Sequence, residues 1–234
     1  HPYPNQGMDM VPFLRLIPSL KDLGYGLVCK LHTKRGVEPL GAVWREHLLE
    51  TLVGSAGAVQ DLIEAFNVDP LLVLAGPAAL YLSAHTTMYE NRPMLEQLAS
   101  AMEQPPNLRD DWGFFAGSMG WIRVDALMPL AKAVIKICDS SSPLEPCLPN
   151  ADGGWPHALE RALGWIGTAD RLAILGVAPS QTELSTSSKA LTLQILSNNE
   201  RKRNIHSHHA GKRLREIHTA KIQHHLCIDT QSRP

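Results

Sequence analysis

A short apolar run, Leu27 to Cys29, is followed directly by a segment in which most side chains are polar. The polar residues are Lys30, His32, Thr33 and Lys34. Such a run predicts a buried strand that ends in a polar segment. In an open α/β sheet, ligands bind beside the carboxyl ends of strands. This stretch therefore favours a sheet whose edge carries a polar site.

The rest of the chain to about residue 178 alternates apolar runs with helical periodicity, which predicts an α/β domain. Leu71 to Pro77 reads as a second buried parallel strand. Helices are predicted over 42–53, 55–66, 89–102 and 124–137. Residues 112–123 read as one strand rich in small residues, where another group can approach the backbone closely.

Charge divides the chain into an acidic body and a basic tail. Residues 1–180 carry 13 Lys and Arg against 19 Asp and Glu, whereas residues 181–234 carry 9 against 4. We predict a domain over 1–178 and a tail over 179–234 that is poorly structured, either disordered or loosely helical. The six tail histidines lack the spacing of a zinc site and are interpreted as incidental. Because the chain opens on His1 rather than Met, we expect the domain to lack its first strand.

Several function classes find no support in the sequence. The four cysteines form no C-x-x-C pair, which indicates a reducing compartment. No nucleotide-binding or hydrolase motif of the types G-x-x-x-x-G-K-[ST], G-x-G-x-x-G or G-x-S-x-G occurs. The longest apolar run, residues 71–84, contains a Gly-Pro pair and is too short to span a bilayer. A net charge of −1 gives no reason to expect a nucleic-acid partner.

Four sequence blocks, taken in series, identify a resemblance. They are Asn5-x-Gly7-x-Asp9 with Pro12-Phe13-Leu14, Lys30-x-His32-Thr33-Lys34 with Trp44-Arg45, Phe114-Phe115-Ala116-Gly117-Ser118-Met119 with Trp121, and Asp152-Gly153 with His157, Glu160 and Arg161. In order and spacing the blocks resemble the rhamnan synthesis protein F family of bacterial polysaccharide glycosyltransferases. The match covers roughly residues 1 to 165.

The resemblance implies a glycosyltransferase-A-like fold, a nucleotide-sugar-binding α/β sandwich. It also implies transfer of a sugar, with rhamnose favoured, from a nucleotide diphosphate such as dTDP-rhamnose to a bacterial surface polysaccharide of the cell wall or lipopolysaccharide O-antigen. The acceptor would be a glycan or lipid-linked glycan, met in the cytoplasm by peripheral association with the inner face of the membrane. The alternative is a non-catalytic module that binds a nucleotide sugar or glycan within a polysaccharide assembly protein.

Departure of a diphosphate requires its charge to be neutralised. The strand is predicted to continue through Lys34, so that the alternation of Lys30, His32 and Lys34 puts all three on one face, which suits this task. The other interpretation is ordinary surface lysines. The predicted donor-binding residues are Asn5, Asp9, Lys30, His32, Thr33, Lys34 and Arg45. Asp9 also stands where a helix N-cap would, and capping alone is its simpler role.

The acceptor hydroxyl must lose a proton to a general base. Asp152, in a Gly-rich loop, and His157, at the start of the next helix, are the predicted catalytic residues. His157 could instead make only a structural hydrogen bond. Glu160 and Arg161 are expected to support the site through an ion pair or hydrogen bonds.

The sugar must also be held in line with its attacking group. Phe115, Gly117, Ser118 and Trp121 are the predicted acceptor- and sugar-binding residues. Small residues here let a ring approach the backbone, and Trp121 could stack on that ring or belong to a tight core strand.

Enzymes of the wider superfamily often carry Asp-x-Asp for a metal, where this chain has the Lys30–Lys34 segment. Fixed cations repel a metal ion, so we expect no cofactor to be required. The rival hypothesis is a Mg²⁺ or Mn²⁺ site at Asp110 and Asp111.

Overall fold

The computed structural model of the protein describes residues 7–33, 40–103, 112–140, 153–166, 173–179 and 191–195. The helices are α1 Met10–Asp22, α2 Leu40–Val53, α3 Ala56–Val68, α4 Ala84–Thr87, α5 Arg92–Ala101, α6 Val124–Ser140 and α7 Trp155–Trp165. The strands are β1 Leu27–Lys30, β2 Leu72–Pro77, β3 Tyr81–Ser83, β4 Gly113–Phe115, β5 Gly120–Arg123, β6 Ala173–Pro179 and β7 Leu191–Ile195. Two 3₁₀ turns lie at Ala78–Leu80 and Tyr89–Asn91.

The main sheet is mixed and has the strand order β1-β5-β2-β6-β7. Only β2 and β6 are parallel; β1–β5, β5–β2 and β6–β7 are antiparallel pairs. A second, two-stranded sheet pairs β3 with β4. The prediction of an α/β domain is therefore confirmed, with a mixed sheet.

Helices cover both faces of the main sheet. Leu74 of β2 enters the large core with α1, α5, α6 and α7, whereas the next residue, Ala75, packs with α3. Because β2 is covered on both sides, all six of its residues are buried. This explains its continuous apolar sequence and confirms the predicted strand.

The prediction for residues 112–123 was wrong in one respect. The segment is not one strand but two, β4 and β5, which belong to different sheets. Between them Gly117 and Ser118 have φ angles of 101° and 52°, in the left-handed region that turns the chain. Gly117 and Ser118 serve that turn, whereas Gly113 and Gly120 lie in the strands, where a Cβ would come within 2.5 Å of the Leu82 carbonyl oxygen and 2.7 Å of the Ala75 carbonyl oxygen.

The prediction that this strand continues through Lys34 was also wrong, because β1 ends at Lys30. Residues 31–33 have no strand pairing, so strand alternation does not govern the direction of His32. Part of the predicted tail also differs from expectation, since Pro179 is the last residue of β6 and the five residues Leu191–Ile195 form β7 beside it. Their sequence, Leu-Thr-Leu-Gln-Ile, alternates apolar and polar residues as a strand does.

Helix α7 lies against β4 at a glycine. A Cβ at Gly164 would collide with the Gly113 carbonyl oxygen and lie 2.8 Å from Phe114 Cα. We predict that Gly164→Ala lowers the free energy of unfolding by about 1–3 kcal/mol, because backbone cannot yield as a side chain can. Urea unfolding measures this.

Gly57 of α3 provides the control, since a Cβ there would meet nothing nearer than Ser55 Oγ at 3.9 Å. Gly57→Ala should leave stability unchanged or raise it by up to about 1 kcal/mol. Equal effects of the two substitutions would contradict the packing described for α7 and β4.

Candidate functional site

Polar side chains from three separate segments meet at the end of β1. Asp9 precedes α1, Lys30 is the last residue of β1, and Ser118 lies in the β4–β5 turn. The Lys30 ammonium pairs with Asp9 Oδ2 and donates to Ser118 Oγ at 3.1 Å. The Ser118 hydroxyl lies 3.4 Å from Asp9 Oδ2, to which it can donate in turn. We call Asp9, Lys30, His32, Ser118 and Glu160 the polar cluster.

Lys30 is the most buried member of the polar cluster, with only 4% of its side chain exposed. Burial lowers the pKa of Lys30, and the charges of Asp9 and Glu160 offset that effect only in part. The ammonium also lies 5.6 Å from the centre of the Phe13 ring, within cation–π range. The Lys30 ammonium therefore makes its hydrogen bonds to groups inside the protein.

Asp9 occupies the N-cap position of α1, but its side chain makes no capping hydrogen bond. The expectation that it serves mainly as a cap was wrong, because its carboxylate is drawn to the Lys30 ammonium. Burial would raise the pKa of Asp9, but Lys30 and His32 outweigh this and hold the pKa below its ordinary value. With 36% of its side chain exposed, Asp9 offers an ionised carboxylate to solvent.

His32 follows β1 and reaches the β4–β5 turn. Its Nε2 atom lies 2.8 Å from the carbonyl oxygen of Gly117. Because a carbonyl oxygen can only accept, Nε2 must carry the proton. Asp9 Oδ2 lies 3.9 Å from the same nitrogen, and 22% of the His32 side chain is exposed. His32 and Asp9 are thus the members of the polar cluster best placed to meet a ligand.

The β4–β5 turn joins the polar cluster to α7. The Gly117 N–H donates to Glu160 Oε1 at 2.6 Å, while the Gly117 carbonyl accepts from His32. A Cβ at Gly117 would lie 3.2 Å from Leu48 Cδ1 and 3.5 Å from Trp44 Nε1 of α2. The turn is therefore fixed on three sides, by the end of β1, by α7 and by α2.

Arg161, next to Glu160, is a buried anchor with 4% of its side chain exposed. It pairs with Glu160 Oε2 at 3.5 Å and donates to the carbonyl oxygens of Thr87 at 2.9 Å and His157 at 3.0 Å. Its guanidinium also faces the Phe114 ring at 4.8 Å from the centroid. These contacts orient Glu160 and hold the segment before α5 against α7.

Backbone strain concentrates around the polar cluster. Among the described residues, the non-glycine residues with positive φ are Met8, Tyr89 and Ser118. Met8 adjoins Asp9, Ser118 belongs to the polar cluster, and the Tyr89 ring lies 5.8 Å from the Arg161 guanidinium. Bulky residues avoid this region unless the surroundings enforce it, and such strain is typical of functional sites.

The structure brings together most of the predicted site residues that it describes. Those within or bonded to the polar cluster are Asp9, Lys30, His32, Gly117, Ser118, Glu160 and Arg161. Thr33 is exposed directly after His32, Arg45 is exposed on α2, and His157 lies half-buried in the first turn of α7.

Two predicted sugar-binding residues lie apart from the polar cluster. The indole of Trp121 donates to the Leu52 carbonyl at 3.0 Å and packs with α2 and α3, on the opposite sheet face from Lys30. Phe115 is buried and meets the Tyr81 ring edge-on at 5.3 Å between centroids. Phe115 therefore lies in the packed interior, and Trp121 is half-buried against α2 and α3.

Five predicted residues lie outside the described part of the chain, and their roles remain predictions. They are Asn5, Lys34, Asp110, Asp111 and Asp152. Within the described residues, no group of three His, Cys, Asp or Glu side chains is arranged to hold a metal ion. Asp9, the carboxylate that contacts the last residue of β1, is already paired with the Lys30 ammonium.

Sequence reasoning missed the contributions of Tyr89, Trp44 and Phe13. Trp44 and Phe13 stand within the quoted sequence blocks, so their position in those blocks was a usable signal. Tyr89 carried no such signal. Its place beside Arg161 depends on the hydrogen bond that Arg161 donates to the Thr87 carbonyl, 74 positions away in sequence.

Comparison with known proteins identifies a family model and relatives that match most of the chain. The family model described as "Rhamnan synthesis protein F" matches residues 2–172. Two proteins named WxcX, both described as uncharacterised and from two strains of Xanthomonas campestris pv. campestris, are 34% identical over 164 residues. The alignment covers 69% of this chain and 23% of each relative. No solved structure matches the chain significantly.

Removing Asp9 and removing Lys30 from the ion pair of the polar cluster should lower the free energy of unfolding by different amounts. Asp9→Asn leaves the buried Lys30 ammonium without an anion, and we predict a loss of about 1–3 kcal/mol in the free energy of unfolding. Lys30→Met leaves a carboxylate that water can still reach, and should cost less. Urea unfolding at pH 7 measures both, and a larger cost for Lys30→Met would refute the asymmetry.

The same pair predicts a dependence on pH. Since the pKa of Asp9 is lowered on folding, its stabilising contribution is present above the ordinary value of 3.8 and is lost as pH falls through the folded pKa. The stability difference between the wild type and Asp9→Asn should therefore shrink between pH 5 and pH 3. A difference that stays constant over this interval would contradict the lowered pKa.

Proposed function

Because this chain belongs to the rhamnan synthesis protein F family, we propose that it acts in polysaccharide synthesis as the sugar-transferring domain of a longer glycosyltransferase. The reaction moves a sugar, rhamnose by preference, from a nucleotide diphosphate to a bacterial surface polysaccharide. The chain spans 23% of the length of the curated relatives it matches. The activity of a whole protein of that length is therefore proposed here.

One observation carries the proposal: polar residues from four separate segments converge on one hydrogen-bonded cluster. Asp9, His32, Ser118 and Glu160 come from the start of α1, the end of β1, the β4–β5 turn and α7. A polyhydroxylated ligand needs several fixed donors and acceptors, because each unsatisfied hydroxyl would weaken binding. The convergence supports a site shaped for such a ligand.

In this proposal the exposed members of the polar cluster contact the donor. Asp9 accepts hydrogen bonds from ligand hydroxyls, because its carboxylate is ionised and partly exposed. His32 lies beside it and is also partly exposed. Lys30 acts by holding Asp9 and Ser118 in place, since its ammonium is buried and occupied.

The diphosphate then requires cations other than Lys30. Arg45 is exposed on α2, next to Trp44, which lies close to Gly117. Lys34 is four residues beyond the end of β1 in sequence. A guanidinium and an ammonium can neutralise phosphate oxygens without a metal ion.

Activation of the acceptor falls to the start of α7. Asp152 and His157 are the proposed bases, and His157 stands one helical turn before Glu160 and Arg161. The acceptor is a glycan or lipid-linked glycan, met in the cytoplasm at the inner face of the membrane. No helix among the described residues is long and apolar enough to pass through a bilayer.

The direct test is nucleotide release from dTDP-rhamnose and other nucleotide sugars by the full-length protein, with a rhamnan oligosaccharide as acceptor. We expect release with at least one donor, and a loss of about tenfold in donor affinity for His32→Ala. His85→Ala is the matched control, since His85 is an exposed histidine on α4. Donor binding without release for any acceptor would favour the non-catalytic binding module.

A parallel arm of this experiment asks whether a metal takes part. Donor affinity measured by calorimetry should be the same within error with and without EDTA, because the proposed phosphate contacts are Arg45 and Lys34. Loss of binding on chelation, restored by Mn²⁺ or Mg²⁺, would instead favour the Asp110 and Asp111 loop.

A further inference from the structure

Tyr89 projects from the protein beside the polar cluster. It is one of the most exposed large side chains, with 64% of its surface accessible, and its φ angle is 45°. An exposed aromatic residue in a strained conformation could relax at little cost unless its surroundings hold it.

Hydrogen bonds on both sides of Tyr89 hold it in this conformation. The carbonyl of Thr87 accepts from Arg161 Nε at 2.9 Å. The carbonyl of Met88 accepts from the backbone N–H of Asn91 at 3.2 Å and from its Nδ2 at 2.8 Å. Asn91 itself is completely buried. The backbone around the ring is therefore anchored in the core while the ring is left in solvent.

The neighbours of Tyr89 place its ring beside α7, next to a residue that pairs with the polar cluster. The Arg161 guanidinium lies 5.8 Å from the ring centroid, and Arg161 pairs with Glu160. The residue after Tyr89, Glu90, lies against Gly153, where a Cβ would come within 2.7 Å of the Glu90 Cβ. One region of the ring is covered by Arg161, and the high exposure of the residue leaves the rest facing solvent.

We propose that Tyr89 is a stacking platform for a sugar ring of the acceptor glycan, held over the edge of the polar cluster. The inference rests on the proposed function and names the substrate subsite within it. An aromatic face packs against the C–H groups of a pyranose, while the ring hydroxyls turn towards polar partners. A 6-deoxy sugar fits best, because its methyl group adds apolar surface to the stacked face.

The position next to α7 assigns the ring to the acceptor rather than to the donor. The donor is proposed to lie against Asp9 and His32, whereas Tyr89 adjoins Arg161, and its neighbour Glu90 adjoins Gly153, just before the helix that carries the proposed base His157. A platform there keeps the acceptor sugar next to the group that removes its proton. The backbone strain is the cost of presenting the ring outward from a buried anchor.

The test measures binding of a rhamnan oligosaccharide to the full-length protein by calorimetry, without donor, and the acceptor KM where transfer is observed. Tyr89→Ala should weaken binding about two- to tenfold, in keeping with a single stacking contact, whereas Tyr89→Phe should bind as the wild type does. Affinity for dTDP-rhamnose should not change in either variant.

Two controls separate a platform from a structural role. Tyr25→Ala removes a tyrosine of similar exposure, 59%, at the opposite end of β1, and should leave oligosaccharide binding unchanged. Tyr89→Gly removes the ring and also the strain of a positive φ, so the melting temperature should not fall although glycan binding is lost.

The outcomes divide cleanly. Wild-type affinity of Tyr89→Ala for the oligosaccharide, or a loss shared equally with Tyr25→Ala, would overturn the inference, as would failure of the wild type to bind the oligosaccharide. Tyr89-dependent glycan binding without nucleotide release would support the platform and refute the proposed transfer. If sugar transfer occurs but Tyr89→Ala leaves the acceptor KM unchanged, the proposed transfer is supported and the platform is refuted.

Discussion

The buried Lys30 ammonium is the interaction on which the site depends. A charge with 4% exposure requires partners, because its desolvation is costly in their absence. Asp9 and Ser118 provide them, and each belongs to a different part of the chain. The start of α1 and the β4–β5 turn are thereby drawn to the end of β1. Lys30 thus organises the polar cluster from within, and the most exposed side chains of the cluster are Asp9 and His32.

Much of the fold was accessible from the sequence because its signals are local. The buried strand β2 was evident as an apolar run, and Ser55 caps α3 through a hydrogen bond to Ala58 N at 3.1 Å. The division of residues 112–123 into two strands was not accessible, since it depends on which sheet each half joins. Strand β7 was overlooked although Leu191–Ile195 alternates correctly, because its partner β6 lies beyond a polar segment.

The sequence predicted which residues belong to the candidate site better than it predicted what each residue contacts. Sequence blocks that resemble a family named Asp9, Lys30, His32, Ser118 and Glu160 together, and the fold brings them together. The partner of each group could not be deduced, because burial decides it. Residue type suggested that lysine faces a phosphate and tryptophan faces a sugar. Packing instead directs Lys30 to Asp9 and Trp121 to the Leu52 carbonyl on the other face of the sheet.

Gly117 joins two halves of the site through its own backbone. Its carbonyl accepts from His32 and its N–H donates to Glu160, so the peptide planes on its two sides are held by β1 and by α7. A ligand that reorients His32 changes one plane and, through it, the hydrogen bond to Glu160. Two ligands bound at these ends would therefore be thermodynamically linked, and each would change the affinity of the other by the same factor. The four-residue turn between β4 and β5 thus couples the orientation of His32 to that of Glu160.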